Sequence, residues 1–176
     1  MKVVMGIDPG VASTGYGVVR FDGGRVAALD GGVIETPAAL EPGRRLVRIH
    51  EAVTELLRRH EPDAVALEDL YFGKNVRSAV GVGQARGVVM LAAAQAGLPC
   101  FDYTPQAVKM SVCGTGGASK EQVQRMVGAL LGLDGPPSSD HAADALAVAI
   151  CHANRAAFEV AAAGAARDAR TVGVTP

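Results

Sequence analysis

The chain has 176 residues, 49% of them hydrophobic and only 4% aromatic, with a formal net charge of −1. That length suits one domain with a core of Ala, Val and Leu, and the charge balance supplies no bulk attraction to nucleic acid. No uninterrupted apolar run of about 20 residues is present to span a bilayer, and no basic segment leads an apolar signal region. The cysteines, Cys100, Cys113 and Cys151, are odd in number and lack a C-x-x-C or zinc spacing, which suits small core residues in a reducing compartment. A soluble cytoplasmic protein with no membrane partner is expected. Charge is unevenly spread: from Leu70 to Met126, six basic residues (Lys74, Arg77, Arg86, Lys109, Lys120, Arg125) face two acids (Asp102, Glu121). Such a face binds phosphate, although solvated surface charge accounts for it equally well.

In chain order, residues 2–8 read as a buried strand, and Pro9-Gly10 opens a loop. Residues 15–21 form a second strand, and Asp22-Gly23-Gly24 turns it into a third over 25–34. Leu46, Ile49, Val53, Leu56 and Leu57 make a helical stripe within 40–60. Pro62-Asp63 precedes a strand ending at Glu68. A long helix over 76–96 stops at Gly97 and Pro99. A short strand covers 100–103, and Thr104-Pro105 opens a short helix. After a glycine-rich loop (114–117), a helix runs over 119–131, and Pro136-Pro137-Ser138-Ser139 leads into the last one. A meander followed by alternating helix and strand predicts an α/β domain over 1–156, with a mixed five-stranded sheet and helices on both faces. Residues 157–176 are Ala-rich without amphipathic pattern and read as a frayed tail.

Two apolar strands end on acids, Asp8 and Glu68, and a third acid, Asp144, interrupts the apolar run Ala142–Ile150. A carboxylate among buried apolar residues is costly unless a cation meets it. Ligands of such sheets gather at the carboxyl ends of parallel strands. Three carboxylates converging there would offer the hard oxygens that Mg²⁺ or Mn²⁺ takes. Metal-assisted phosphodiester hydrolysis uses two cations roughly 3.5–4 Å apart, usually sharing a carboxylate. Asp8 is the candidate bridge, Glu68 completes one cation, and His141 and Asp144, three apart on one helix face, supply the rest. Taken singly, most of these residues also have bland readings. Asp8 before Pro9-Gly10 suits a turn, Glu68 before Asp69 a loop, and His141 a surface position. Asp140, in the first turn of its helix, suits the helix dipole. Asp144 is the hardest to read that way, because its neighbours on every side are apolar.

Lys120 follows Ser119, an N-cap with Gln122 three residues on, a capping-box pattern. A lysine at the positive end of a helix is mildly unfavourable unless a phosphate binds there. Tyr71 and Phe72, followed by Lys74, Asn75 and Arg77, combine rings for stacking on unpaired bases with donors and cations for backbone contact.

The patterns Gly6-Ile7-Asp8-Pro9-Gly10 and Thr14-Gly15-Tyr16-Gly17 resemble the opening of the RuvC family of Holliday junction resolvases. Lys74-Asn75 through Gly83-Gln84-Ala85-Arg86-Gly87 is similar to that family's central helix. Val108-Lys109, Lys120-Glu121-Gln122-Val123-Gln124 and Ala142-Ala143-Asp144-Ala145-Leu146-Ala147 resemble its later motifs, in unbroken order from about residue 3 to 152. The resemblance implies a ribonuclease H-like fold, a homodimer meeting around the long helix, and Mg²⁺- or Mn²⁺-dependent paired, symmetric nicking of four-way junction DNA, with two ions per site. It makes Asp8, Glu68 and Asp144 catalytic metal ligands. Lys109 and Lys120 would lie near the scissile phosphate, and Tyr71 would be the ring that probes the opened junction. It also suggests a branch-migration helicase complex as a partner. The family's remaining acid commonly lies three residues before the last; here that place holds His141, with Asp140 one residue earlier as the alternative ligand. His141 keeps the family position, and a nitrogen ligand shifts preference from Mg²⁺ toward Mn²⁺. Two other readings compete. One is a junction-binding module without catalysis, since His141 breaks the acid pattern. The other is an actin-like or sugar-kinase-type phosphate-binding domain, suggested by Asp8-x-Gly10 and Thr14-Gly15-x-Gly17, which would need a second such domain.

Overall fold

The structure is a computed structural model that describes residues 1–22, 24–69 and 76–171, the side chains of 76–78 and 159–171 excepted. Strand β1 (Lys2–Asp8) is central, with β2 (Ser13–Asp22) antiparallel on one side and β4 (Ala64–Glu68) parallel on the other. β3 (Arg25–Glu35) and β5 (Cys100–Tyr103) form the edges, giving the order β3-β2-β1-β4-β5. The expected mixed five-stranded sheet is therefore present. The second strand starts earlier than its apolar pattern suggests, because Ser13 and Thr14 already pair with Glu35 and Ile34 of the third strand; buried Thr14 also donates its hydroxyl to the Gly10 carbonyl.

Side chains alternate across a sheet with period two, and this sorts the central strands. Met5, Ile7, Val65 and Leu67 face helices α1 (Pro42–His60) and α2 (Val76–Gln95), joining Ile49, Val53, Leu57, Val89 and Ala93 in one core. Met5, Ile7, Ile49 and Leu67 are fully buried there, each stabilising the fold by roughly 1.5–3 kcal/mol. Val4 and Ala66 face the opposite core, with Leu146, Ala147 and Ile150 of α5 (Asp140–Thr171). Helices α3 (Pro105–Cys113) and α4 (Lys120–Leu131) cover the outside of α5. Buried between sheet and helices, α5 is apolar all round over 145–151, as a helix without a solvent face should be.

Two helix boundaries depart from expectation. α1 begins at Pro42, whose fixed φ suits the first helical position. Where a frayed tail is expected over 157–176, the backbone of α5 continues as helix to Thr171; a run dominated by alanine has the highest intrinsic helix propensity. Among the described residues no helix is long and apolar enough to cross a membrane.

Candidate active site

Parity places Asp8 on the same face as Val4 and Gly6, and Glu68 on the same face as Ala64 and Ala66. Both acids terminate neighbouring parallel strands, with Ile7 paired to Leu67 one residue before them. α5 crosses this face unusually closely. A Cβ on Gly15, opposite Asp8 on β2, would fall within the van der Waals shell of the His141 carbonyl, and one on Gly6 would meet the Ala145 carbonyl. The missing side chains let the first turn of α5 lie against the strand ends. His141 and Asp144 thereby come to the acids from above.

His141 Nδ1 lies 2.7 Å from Asp8 Oδ2. The Glu68 carboxyl stands close to that of Asp8 and is pushed up to about 7. Burial contributes most, followed by the charges of Asp8 and Asp144, with Lys120 opposing. Burial likewise raises the Asp144 carboxyl, the Lys120 ammonium pulls the other way, and Asp8 adds to the rise. Carboxyls raised by burial and by one another's charge in this way mark a site whose repulsion a cation would relieve. Among the described residues, no three His, Cys, Asp or Glu side chains surround one point tightly enough to ligate an ion as they stand. The donor chemistry nevertheless fits a hard divalent cation: three carboxylates and one imidazole share one rim.

Lys120 reaches in from the first turn of α4, where Ser119 and Gln122 form the expected capping box. Its Nζ lies 3.4 Å from Asp144 Oδ2 and 3.2 Å from Asp140 Oδ2. Burial works against the ammonium, but these two carboxylates more than offset it and its pKa is raised. Lys109, Lys120, Glu68 and Asp144 line one cleft of about 180 Å³ between α3, α4 and the strand ends.

Asp8, Glu68, His141, Asp144, Lys109 and Lys120 are thus gathered at one rim. Asp140 is turned elsewhere: it accepts from Gln124 Nε2 at 2.6 Å as well as from Lys120, and the hydrogen bonds to Lys120 and then Gln124 hold its carboxyl below the usual range. Of the two candidates for a fourth ligand, His141 is the one that touches Asp8. Tyr71, Phe72, Lys74 and Asn75 lie outside the described residues, as does the side chain of Arg77 at the start of α2. Sequence reasoning missed the spacing glycines Gly6 and Gly15. Their signal was present, since Gly6, Gly15 and Gly17 sit on one face of the sheet and the positions that Gly6 and Gly15 meet on α5, His141, Ala145 and Ala149, recur at helical spacing. It also left Arg86 without a role.

A family model described as crossover junction endodeoxyribonuclease RuvC matches residues 4–152. A protein named crossover junction endodeoxyribonuclease RuvC from Moorella thermoacetica is 53% identical over 152 residues, covering 86% of this chain and 91% of the relative. Its namesake from Pelotomaculum thermopropionicum is 50% identical over 157 residues, covering 89% and 96%. Among solved structures, Thermus thermophilus RuvC in complex with a Holliday junction substrate superposes with a TM-score of 0.86 at 41% identity, over 90% of this chain and 97% of that one. The yeast mitochondrial Holliday junction resolvase Ydc2 shares the fold, with a TM-score of 0.64 at 12% identity over 89% and 81%. With a family model spanning the sheet, the acids and the first turns of α5, and with relatives half identical along nearly their whole length, the chain belongs to the RuvC family of crossover junction endodeoxyribonucleases.

Proposed function

We propose that this chain resolves four-way DNA junctions by hydrolysing one phosphodiester in each of two strands of like polarity. In this reading Asp8, Glu68, His141 and Asp144 would hold two divalent cations per site, Asp8 being the candidate for a shared ligand. The observation that carries it is the gathering of these four side chains at one sheet rim, with Lys120 at its edge. When bound, the cations supply an activated water and neutralise charge on the leaving oxygen. The chain's own residues do the rest. Asp8, between Glu68 and His141, fixes the centre of the site. Lys120, at a helix N-terminus, exchanges its carboxylate partners for a phosphate oxygen as DNA enters, and Lys109 on the same cleft adds a second positive charge. Tyr71, Phe72, Lys74, Asn75 and Arg77, which follow Glu68 in the sequence, are assigned the stacking and backbone contacts with DNA. α2 leaves Val80, Met90 and Leu91 exposed. Val80, Gly87 and Leu91 recur at helical spacing, which supports a two-fold dimer presenting two such sites to a two-fold junction. The junction complex of the Thermus relative agrees with DNA of this class as substrate.

A synthetic four-way junction with a linear duplex of the same sequence tests the reading. Paired symmetric nicks on the junction alone are expected, and Asp8→Asn should bind the junction without cutting it. Tight junction binding by the wild type without nicks, or equal nicking of the duplex, would contradict it. The imidazole makes a further demand: Mn²⁺ should support faster cleavage than Mg²⁺, and His141→Asp should narrow that gap. Equal wild-type rates with both metals would remove His141 from the ligand set.

A further inference from the structure

Arg86 projects from α2, yet its guanidinium works at the end of β4. The side chain is only 12% exposed; one terminal nitrogen lies 2.5 Å from Asp102 Oδ1, and the other donates to the main-chain carbonyl of Glu68 at 3.2 Å. A buried guanidinium needs its donors occupied. Here they serve a neighbouring strand and a backbone carbonyl, not the Glu68 carboxylate, whose charged neighbours are Asp8, Asp144 and Lys120. Asp102 lies opposite Leu67 in the β4–β5 register and Tyr103 lies opposite Glu68, while the Asp69 N–H donates to the Tyr103 carbonyl at 2.8 Å. Glu68 is therefore near the last point at which the sheet holds this backbone. Its side chain also faces the charges of Asp8 and Asp144.

We propose that Arg86 is a positioning residue of the nuclease site: anchored by Asp102, it fixes the Glu68 carbonyl and so sets the reach of the Glu68 carboxylate toward Asp8 and Asp144. This rests on the reading of those three acids as metal-holding. It also ties the position of Glu68 to α2, the helix whose outer face carries Val80, Met90 and Leu91. Because the guanidinium contacts the backbone and not the carboxylate, its removal should disturb ion binding and turnover without touching the junction surface.

The test uses the full chain with Arg86→Gln, Asp102→Asn and the double variant. Three quantities are measured: Mn²⁺ binding without DNA, junction affinity without divalent metal, and cleavage kinetics in Mn²⁺. Arg86→Gln should weaken Mn²⁺ binding about tenfold and lower kcat by roughly 10–100-fold, while junction affinity and KM stay within about twofold. Asp102→Asn, on a half-exposed edge position, should lower the same two quantities about three- to tenfold. The double variant should be no worse than Arg86→Gln, since the pair acts as a unit. Arg86→Lys should restore little, because an ammonium does not span both acceptors. Unchanged Mn²⁺ affinity and kcat, or a loss confined to junction affinity, would overturn the proposal; the second result would make Arg86 a DNA ligand. If circular dichroism shows Arg86→Gln unfolded, the effect of Asp102→Asn on Mn²⁺ affinity decides the matter. A wild type that does not cleave would defeat the nuclease reading itself, whereas wild-type cleavage beside an unaffected variant would defeat only the role of Arg86.

Discussion

Glu68→Gln should abolish junction cleavage and, in chelator at about pH 8, make the protein more stable than the wild type. The two halves have one cause. In the metal-free fold the Glu68 carboxyl is raised from 4.5 to about 7, by burial first and then by Asp8 and Asp144. An acid whose folded pKa lies above its unfolded value binds protons more tightly in the fold. Its stabilising contribution is complete below the unfolded pKa and is lost as pH rises through the folded one. Between pH 4.5 and about 7 the metal-free protein should therefore lose stability. The loss from this group is about 3 kcal/mol, at roughly 1.4 kcal/mol for each tenfold difference in proton affinity between the folded and unfolded chain. Glutamine keeps the shape, donates a hydrogen bond to Asp8 and carries no charge, so that loss disappears. A gain of about 5 °C or more in Tm follows for a domain of this size. Saturating Mn²⁺ should reverse the order, because a cation that binds only the fold stabilises the wild type by mass action. Removing a metal-holding carboxylate costs several kcal/mol of charge stabilisation in the transition state, so cleavage should fall by about 10³-fold or more. A pH-independent difference in Tm between the two proteins, measured in chelator, would contradict this electrostatic picture.

Gly15→Ala should damage the site from outside it. The added Cβ would collide with the main-chain carbonyl of His141, and no side-chain rotation relieves a clash with backbone. α5 must lift, and with it His141, whose 2.7 Å contact with Asp8 depends on that closeness. Overpacking of this kind costs about 1–3 kcal/mol, and displacement of a reacting group by about 1 Å costs on the order of 10²-fold in rate. Gly43→Ala is the control: a Cβ there meets nothing within 4 Å, and alanine in a helix should stabilise by roughly 0.5–1 kcal/mol. Cleavage kinetics and thermal melts of the two variants separate them. Wild-type kcat in a folded Gly15→Ala would mean that the approach of α5 does not set the site.

Much of this arrangement was legible because it follows from simple periodicities. An acid at the end of an apolar strand faces whichever side its strand parity dictates, so Asp8 and Glu68 share a face once Ile7 is paired with Leu67. Asp144 is conspicuous because an apolar helix has no other use for it. The choice between Asp140 and His141 was not legible: positions four and three before Asp144 both lie near its face, and only the crossing of α5 over Gly15 turns His141 inward. Asp140 then falls to Gln124 and Lys120, a contact between separate helices that helical spacing does not encode. Arg86 was hidden for a similar reason. It lies within an apolar helix, while its partners, Asp102 and the Glu68 carbonyl, come from β5 and β4. The helical course of α5 to Thr171 departs from the expected tail because helix propensity needs no amphipathic stripe.

Anomalous scattering at the manganese edge from Mn²⁺-soaked crystals probes the shared-cation arrangement most directly. Two peaks roughly 3.5–4 Å apart, with Asp8 between them and Glu68, His141 and Asp144 around them, are expected. Strong peaks elsewhere, or full Mn²⁺-dependent cleavage with no ion beside Asp8, would contradict it.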